Sequence, residues 1–405
     1  MSAMAHVIIV GGGPAGAALA YLLASRGIET TLVERQSDFA REFRGEVLMP
    51  SGQAVFDELG LREAFDALPH QEPSCADFYP GGNHPVRLDF GEDLEGGPRI
   101  VSQPLMLEML VAQAQAFPGF TFHRGVQVSD LIKQGERVCG VRLGDGQEIL
   151  GDLVVGADGR GSIVRRKAGL ESPRDPESFD IVWFRVPYPD FLAREGSPVQ
   201  AYARQGHLAL GFPSPQGDEL QVAWLIAKGT FGELRRRGIE AWVREMAQHV
   251  RPELGEYLRR HAQNLERPFV LDVVCYLLPD WSVPGAALVG DAAHPMSPVG
   301  GQGINIALRD IVVFANHLVP VLQKEFESAD VDDAVLAYAR ERYPEALEVQ
   351  ALQRAAPRVI LRQAWWSSLV LQLVWILRIG AVRRFVARRG ASRMLYGTRS
   401  VKLSV

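Results

Sequence analysis

Cysteine is scarce in this sequence of 405 residues, and its distribution excludes two kinds of site. Cys75, Cys139 and Cys275 lie far apart, and none belongs to a CxxC pair or to a Cys/His arrangement with metal-ligand spacing. We therefore expect neither a disulfide framework nor a bound metal ion. Each cysteine is expected to be a small buried apolar residue in a reducing, cytoplasmic compartment.

The chain also lacks an overall excess of basic residues, since its net charge is −5 at pH 7. Its 22% of charged and 47% of apolar residues are typical of a globular protein and give no indication of a nucleic-acid partner. The N-terminus shows no basic segment of the kind that opens a secretory signal. A chain of this length exceeds one ordinary core, so we expect more than one domain.

Acidic residues are absent after Glu348. The basic residues that follow are Arg354, Arg358, Arg362, Arg378, Arg383, Arg384, Arg388, Arg389, Arg393, Arg399 and Lys402. Residues 359–379 are nearly apolar apart from two of these arginines. Three arrangements fit this stretch: a helix packed on the core or in a homodimer, a membrane-surface contact through residues 359–393, or a transmembrane span. The sequence leaves them open, together with the choice between monomer and homodimer.

Residues 5–35 carry the clearest functional pattern in the sequence. An apolar strand precedes three glycines at the spacing of a dinucleotide fingerprint, and a helix rich in alanine and leucine follows. Gly11 permits the tight turn, Gly13 lets the backbone approach a pyrophosphate, and Gly16 lets helix and strand pack closely.

The helix after these glycines spans residues 14–25, and its first residues are Pro14 and Ala15. Its N-terminus offers free N–H groups and a positive dipole end to phosphates. A second strand then ends at Glu34, where a carboxylate can accept hydrogen bonds from the ribose hydroxyls of an adenosine, and Arg35 follows directly. The stretch therefore predicts a dinucleotide site and leaves NAD and FAD open.

Two later segments repeat the order of strand, glycine turn and helix. A strand over residues 148–155 runs into the sequence GADG at 156–159. A short apolar strand over residues 286–289 meets GDAAHP at 290–295, and the glycine-rich run at 298–305 opens another helix. His294 lies in this turn, and we expect it to have a structural role rather than to act as a catalytic base.

The residues between the two later motifs alternate between apolar and polar, with frequent glycine and proline, which predicts an antiparallel sheet. We therefore predict a mixed α/β fold with a discontinuous cofactor-binding domain and a β domain for the substrate. The cofactor-binding domain takes residues 1–70, 99–170 and 285–320. The β domain takes residues 71–98 and 171–284, and residues 321–405 form a helical C-terminal region.

Together, the GxGxxG element, the GADG segment and the GDAAHP segment with its following glycines resemble the motifs of the class A flavoprotein monooxygenases. This is the family of p-hydroxybenzoate hydroxylase and the ubiquinone-pathway hydroxylases. The resemblance covers residues 5–317 and stops before the C-terminal region. It implies a Rossmann-like, FAD-binding domain of the p-hydroxybenzoate hydroxylase type, interleaved with an antiparallel substrate sheet, and FAD as the cofactor.

The resemblance also implies roles for single residues. Arg44 would reach the pyrophosphate or the flavin edge, Asp291 would hold the ribityl hydroxyls, and Pro298 would lie against the flavin near the carbon that reacts with oxygen. Arg44 and Pro298 are the candidates for catalysis. The other expected contacts with FAD are Gly11, Gly13, Pro14, Ala15, Gly16, Glu34, Arg35, Gln103, Val128, Asp158, Gly159, Gly300, Gly301, Gly303, Ile304 and Asn305.

The implied reaction is a monooxygenation with NADH or NADPH as a transient reductant of FAD. Oxygen would add at the flavin C4a carbon as a hydroperoxide, whose distal oxygen hydroxylates or epoxidises an aromatic or a quinone- or quinolone-like substrate. A lipophilic substrate of secondary metabolism would suit a C-terminal membrane contact. Candidates for substrate contacts in the predicted sheet are Trp183, Tyr202, His207, Phe212 and Trp224.

Three other functions are compatible with the same fold, and two of them use FAD while the third does without it. A prenyl reductase of the geranylgeranyl type shares the fold and would reduce a double bond without oxygen. A flavin halogenase needs a lysine near the start of the substrate channel and a WxWxIP segment, whereas this chain has no lysine before Lys133 and no such segment. A non-enzymatic prenyl-carrier protein would not require the acids Glu34, Asp158 and Asp291.

Overall fold

A computed structural model describes residues 5–40, 46–170, 177–204, 206–360, 380–386, 388–389 and 392–405. The strands are β1 (His6–Val10), β2 (Glu29–Glu34), β3 (Val47–Leu48), β4 (His70–Gln71), β5 (Cys75–Pro80), β6 (Val86–Asp89), β7 (Arg99–Val101), β8 (Phe120–Arg124), β9 (Val128–Gln134), β10 (Arg137–Leu143), β11 (Glu148–Leu150), β12 (Leu153–Gly156), β13 (Phe179–Pro187), β14 (Val199–Arg204), β15 (His207–Pro213), β16 (Glu219–Ala227), β17 (Glu266–Leu271), β18 (Ser282–Val283) and β19 (Ala286–Leu288).

The helices are α1 (Pro14–Ser25), α2 (Pro50–Glu58), α3 (Arg62–Asp66), α4 (Gln103–Ala114), α5 (Ile163–Ala168), α6 (Asp190–Glu195), α7 (Phe231–Arg237), α8 (Ile239–Met246), α9 (Pro252–Arg260), α10 (Gln302–Leu322), α11 (Ser328–Ile360), α12 (Gly380–Val386) and α13 (Ser392–Tyr396). Short 3-10 turns occupy Ala262–Asn264 and Gly290–Ala292.

The first sheet has six strands in the order β18-β19-β12-β1-β2-β8, and all its pairs are parallel except β18 with β19. The central strand is a continuous apolar run, with Val7, Ile8 and Ile9 fully buried, as expected for a parallel sheet covered on both faces. The carboxyl ends of β1, β2, β12 and β19 meet at one edge. The three glycine motifs, which follow β1, β12 and β19, therefore converge there.

The second sheet has seven strands in the order β17-β13-β16-β15-β14-β5-β6, with β14 and β5 as its one parallel pair. Side chains along its strands point alternately to two faces, and both faces are apolar. One face packs against α7, α8 and α9 and includes Val182, Val222 and Trp224. The other face includes Ile181, Ala223 and Leu225 and looks into the molecule.

Two local predictions differ from the structure. The sequence predicts one strand over residues 148–155, whereas the chain changes sheets in the middle of it. The N–H of Gly151 donates to the Cys139 carbonyl at 3.0 Å, and that of Asp152 donates to the His6 carbonyl at 2.8 Å. Within the region predicted as β domain, the sequence also predicts a helical stretch over residues 238–261, which the structure divides into α8 and α9.

One described helix, α10, is long and apolar enough to cross a membrane, with a mean hydropathy of 1.4. Its apolar window is 78% buried inside the protein, which is typical of the core helix of a globular domain. Of the apolar C-terminal stretch, residues 361–379 lie outside the described residues. The membrane-surface contact through residues 359–393 therefore stays a prediction.

Helices α10 and α11 enclose a cluster of buried charges. Asp310 accepts a hydrogen bond from Arg342 Nε at 2.8 Å on Oδ1, and its Oδ2 lies 2.7 Å from His294 Nε2. Glu345 pairs with both Arg309 and Arg342. Burial alone would raise the pKa of Asp310, but His294 and Arg342 hold this pKa below its usual value.

Glu345→Gln tests how much this cluster, which we call the buried charge network, contributes to stability. The substitution leaves Arg309 and Arg342 buried with one anionic partner fewer, and breaking a buried pair costs about 3–5 kcal/mol. We expect a loss of this size in the urea unfolding free energy, measured at a fixed FAD concentration. Glu148→Gln is the control, because its exposed pair with Arg142 is worth about 1 kcal/mol or less. Equal losses in both variants would contradict a structural role for the network.

Candidate functional site

A cavity of about 1540 Å³ lies between the converging motifs of the first sheet and the inner face of the second. Ordinary ligand pockets measure about 300–1,000 Å³, so this space suits a dinucleotide together with a second molecule. The predicted site residues that line it are Gly11, Gly13, Pro14, Ala15, Glu34, Arg35, Gln103, Val128, Asp158, Gly159, Asp291, Pro298, Gly300, Gly301, Gly303 and Ile304. Arg44 lies outside the described residues.

The three glycines of the first motif have different surroundings. Gly11 has a φ of 106°, and a Cβ there would lie 2.6 Å from the Ala157 carbonyl oxygen. A Cβ on Gly16 would overlap the Gly11 carbonyl oxygen, so Gly16 serves the packing of α1 on β1 and does not line the cavity. Gly13 is open, with its nearest neighbour at 4.0 Å, and leaves backbone exposed to the cavity at the start of α1.

Glu34 lies at the end of β2 and is 4% exposed. Its Oε2 accepts a hydrogen bond from the Gly12 N–H at 2.7 Å, and its Oε1 accepts one from the Gln36 N–H at 2.9 Å. These contacts hold the carboxylate against the glycine turn. A ribose whose phosphates lie at the start of α1 would meet it there.

Asp158 follows β12 and binds the start of α5. Its Oδ2 accepts hydrogen bonds from the N–H groups of Ile163 at 2.6 Å and Val164 at 3.2 Å. Burial raises the pKa of this carboxyl. Its Oδ1 is buried and has no hydrogen-bond partner among the described residues. Because an unpaired buried oxygen is costly, its place in a cavity wall fits a bound group that donates hydrogen bonds, such as FAD.

The start of α10 forms another part of the cavity wall. Gly300 and Gly301 have φ values of 76° and 61°, in the left-handed region that favours glycine. They turn the chain so that the N-terminal end of a 21-residue helix faces the cavity at Gly303 and Ile304. Free N–H groups and a positive dipole end are available there for an anionic ring edge.

Asn305 acts from behind this wall. Its side chain does not line the cavity; Oδ1 accepts a hydrogen bond from the Met49 N–H at 2.8 Å, and Nδ2 donates to the Gly301 carbonyl at 2.6 Å. A Cβ on Gly52 would overlap the Asn305 side chain. Asn305 thus fastens the start of α10 to the loop between β3 and α2.

His294 has structural surroundings, in agreement with the expectation for this turn. It is 1% exposed, packs beside Trp281, and makes the contact with Asp310 described above. It does not line the cavity.

The predicted substrate contacts divide between the two faces of the second sheet. Trp183 and Phe212 line the cavity, and their rings meet edge to face at 6.0 Å. Tyr202, His207 and Trp224 belong to the opposite face.

These three side chains pack away from the cavity. Tyr202 stacks on Tyr79 at 4.6 Å, and His207 stacks on His249 at 3.6 Å, close to Trp224. Because side chains alternate along a strand, a shift of one residue exchanges the faces. We therefore withdraw these three residues as substrate contacts.

A polar cluster at the cavity wall escaped the sequence analysis. Glu46 is 6% exposed, and its Oε2 accepts a hydrogen bond from Gln221 Nε2 at 2.8 Å. Its Oε1 lies 3.8 Å from the Arg185 guanidinium. Burial raises the pKa of Glu46 to about 7, although Gln221 and Arg185 oppose the shift.

One sequence signal points to this cluster. Arg185 follows Ile181 and Trp183 at every second position of β13, so it lies on the same inner face. A charged residue at such a position indicates a polar site on an otherwise apolar face. Glu46 itself has no comparable local signal. Met394 and Leu395, which also line the cavity, lie beyond the segment that the motifs cover.

Comparisons with known proteins agree with this geometry. The family described as FAD binding domain matches residues 4–352. The 6-methylpretetramide 4-monooxygenase of Streptomyces rimosus is 32% identical over 411 residues, which cover 98% of this chain and 93% of that enzyme. The ubiquinone hydroxylase UbiL of Rhodospirillum rubrum is 27% identical and is matched over 99% of this chain and 92% of its own length.

Solved structures share the fold. PqsL of P. aeruginosa, in complex with 2-aminobenzoylacetate, has a TM-score of 0.77 at 22% identity, over 90% of this chain and 99% of that chain. The p-nitrophenol 4-monooxygenase PnpA of Pseudomonas putida has a TM-score of 0.76 at 18% identity, over 98% and 100%. The predicted mixed α/β fold is confirmed.

Gly13→Ala tests the expected approach of a pyrophosphate to the first turn. The added methyl group meets no protein atom closer than 4.0 Å, so the protein should fold normally. The methyl group would project from the cavity surface. We therefore expect the Kd of FAD to rise about tenfold or more, measured by fluorescence titration of the apoprotein. Gly232→Ala in α7, where an added methyl group also meets nothing, is the matched control and should bind FAD normally. Normal FAD affinity in Gly13→Ala would refute the assignment.

Proposed function

Since this chain belongs to the FAD binding domain family and is an FAD-dependent monooxygenase, we propose that it hydroxylates a ring-bearing, largely apolar substrate with NADH or NADPH and O2. The observation that carries this proposal is the single cavity that joins the dinucleotide motifs to the aromatic inner face of the second sheet. The relatives' names, a 4-monooxygenase and a ubiquinone hydroxylase, favour hydroxylation. They do not favour the prenyl reductase alternative.

The lining of the cavity supports an aromatic substrate with a hydroxyl group. Trp183, Phe212 and Leu210 offer flat apolar surface that a ring can cover, which excludes water from the reacting carbon. At the wall beside β3, Glu46 offers a carboxyl group suited to a ring hydroxyl.

FAD, when bound, would accept electrons from the nicotinamide and activate O2. The chain's own part begins with binding. The starts of α1 and α10 would hold the pyrophosphate and the ring edge, and Glu34 and Asp158 would accept hydrogen bonds from hydroxyl groups of the cofactor. Pro298 would close the wall over the ring.

Glu46 would act as the proton acceptor of the reaction. Gln221 donates to its Oε2 at 2.8 Å, whereas Oε1, which lies 3.8 Å from the Arg185 guanidinium, would accept the proton of a ring hydroxyl. The O–H bond of the substrate breaks, the proton passes to Oε1, and the electron pair stays on the ring oxygen. The ring would become richer in electrons at its ortho and para carbons, where oxygen activated by bound FAD would be added. A pKa of about 7 matches this task near neutral pH.

The first experiment follows NAD(P)H oxidation and O2 uptake by the FAD-loaded protein in the presence of phenols, naphthols, hydroxyanthraquinones and quinolones. We expect one class to stimulate both rates in a one-to-one ratio and to yield a product with one added oxygen. Reductant consumption without O2 uptake, together with a saturated double bond in the product, would instead support a reductase.

Glu46→Gln separates the proton acceptor from the rest of the cavity. In the unaltered protein, kcat/KM should rise as pH increases through about 7, because the carboxylate form accepts the proton. The variant should lose this rise and about 10²–10⁴-fold in rate at pH 8. The control is Glu219→Gln, which removes a carboxylate 3.3 Å from the Arg185 guanidinium; Glu219 does not line the cavity, so this variant should keep the rise.

Glu46→Gln should also change the pH dependence of the unfolding free energy, which can be measured without any enzymatic activity. The pKa of Glu46 is higher in the folded protein than the ordinary 4.5, so its stabilising contribution is present below that value and is lost as pH rises through about 7. The lost contribution is roughly 3 kcal/mol. Glu46→Gln should therefore gain stability relative to the unaltered protein between pH 5 and pH 8, and the same pH dependence in both proteins would contradict a buried carboxyl.

A further inference from the structure

The C-terminal segment of residues 392–405 reaches the cavity although it lies outside the family match, which ends at residue 352. Helix α13 brings Met394 and Leu395 into the cavity wall. We call residues 392–405 the C-terminal strap.

The buried charge network anchors the centre of the strap. Arg309 donates to the Arg399 carbonyl, and the Thr398 N–H donates to Glu345 at 3.3 Å. A Cβ on Gly397 would overlap the Arg309 guanidinium, and this glycine has a φ of 81°. The strap therefore packs closely on α10 and α11 in one defined position.

The last residues of the strap are held just as closely. Asn316 Nδ2 donates to the Lys402 carbonyl at 2.7 Å, and the Leu403 N–H donates to Glu58 at 2.9 Å. Arg26 donates to the backbone oxygen of Val405 at 2.7 Å. The strap thus touches α10, α2 and the residue that follows α1, so the chain after Gly397 is held against the core.

At its other end the strap bridges the two walls of the cavity. Gln302 Nε2 at the start of α10 donates to the Met394 carbonyl at 2.7 Å, and the Met394 side chain lies against Gly300. Leu395 packs with Phe90 and Leu94 of the loop after β6.

A hydrogen bond from the Tyr396 hydroxyl to the Gly96 carbonyl at 3.2 Å holds the same loop. The strap therefore connects the glycine turn of the cofactor site to the second sheet's side of the cavity.

We propose that Met394 and Leu395 are specificity-determining residues that set how large a ring system fits beside the glycine turn of α10. This inference rests on the proposed function and names the part of the wall that selects the substrate. Methionine is flexible and fills irregular space, so its side chain shapes the cavity without reacting. Even one methylene group in a pocket changes discrimination between substrates by about 10–200-fold.

The test uses the FAD-loaded protein and reads binding rather than turnover. Titrations with 2-naphthol and with the larger 1,8-dihydroxyanthraquinone are followed by the change in flavin absorbance. We expect Met394→Ala to favour the larger probe about tenfold or more in the ratio of the two Kd values, and Met394→Trp to favour the smaller one. Leu347→Ala, an exposed leucine of α11, is the control. An unchanged ratio in both Met394 variants would overturn the proposal.

A second measurement needs no substrate. If Met394 and Leu395 close the cavity, the double variant Met394→Ala/Leu395→Ala should raise the quenching constant of bound FAD by iodide severalfold, with the flavin content checked by absorbance. A quenching constant equal to that of Leu347→Ala would contradict the role of Met394 and Leu395 in closing the cavity. Both readouts work without catalysis. A protein that gives the expected shifts but never consumes O2 would therefore refute the proposed function and leave the role of the strap standing.

Discussion

The buried charge network between α10 and α11 is the constraint on which the other parts of the site depend. Asp310 accepts a hydrogen bond from the Gly290 N–H at 3.2 Å, so the network holds the third glycine motif directly. Through Arg342 and Glu345 it reaches Arg309 and the C-terminal strap. Because a buried charge that loses its partner is costly, the network favours the geometry of the two helices in which these charges are paired. The cofactor turn, the helix that begins beside it and the strap are thereby fixed together.

The sequence predicts the cofactor end of the site well because its signals are local. The bounds of α1 agree with the prediction residue for residue, and the predicted acids and all the predicted glycines except Gly16 line one cavity. The substrate end depends on long-range placement. Phe212 was assigned to the correct face and Trp224 to the wrong one, since alternation gives the period of a strand but not which face is inside. Glu46 and Met394 meet the cavity only through the tertiary fold, and no pattern in their own neighbourhoods marks them.

The two ends of the cavity therefore differ in physical character. At the cofactor end, backbone amides and glycines would do the binding, and the steric requirements are strict, since Gly11 and Gly16 have no room for a side chain. At the substrate end, apolar side chains from separate strands and from the strap form the wall. Such a wall tolerates exchange of one apolar residue for another. The same fold can thus keep its cofactor while its substrate changes.

The contact of Met394 with Gly300 has a thermodynamic consequence. Because the Met394 side chain borders both the substrate space and the turn that leads into α10, a ligand that displaces this side chain would also act on the turn. Linkage then makes the effect reciprocal: the factor by which a bound ring alters the affinity for the cofactor equals the factor by which the cofactor alters the affinity for the ring. A single methionine would then couple the occupancy of the two halves of the cavity.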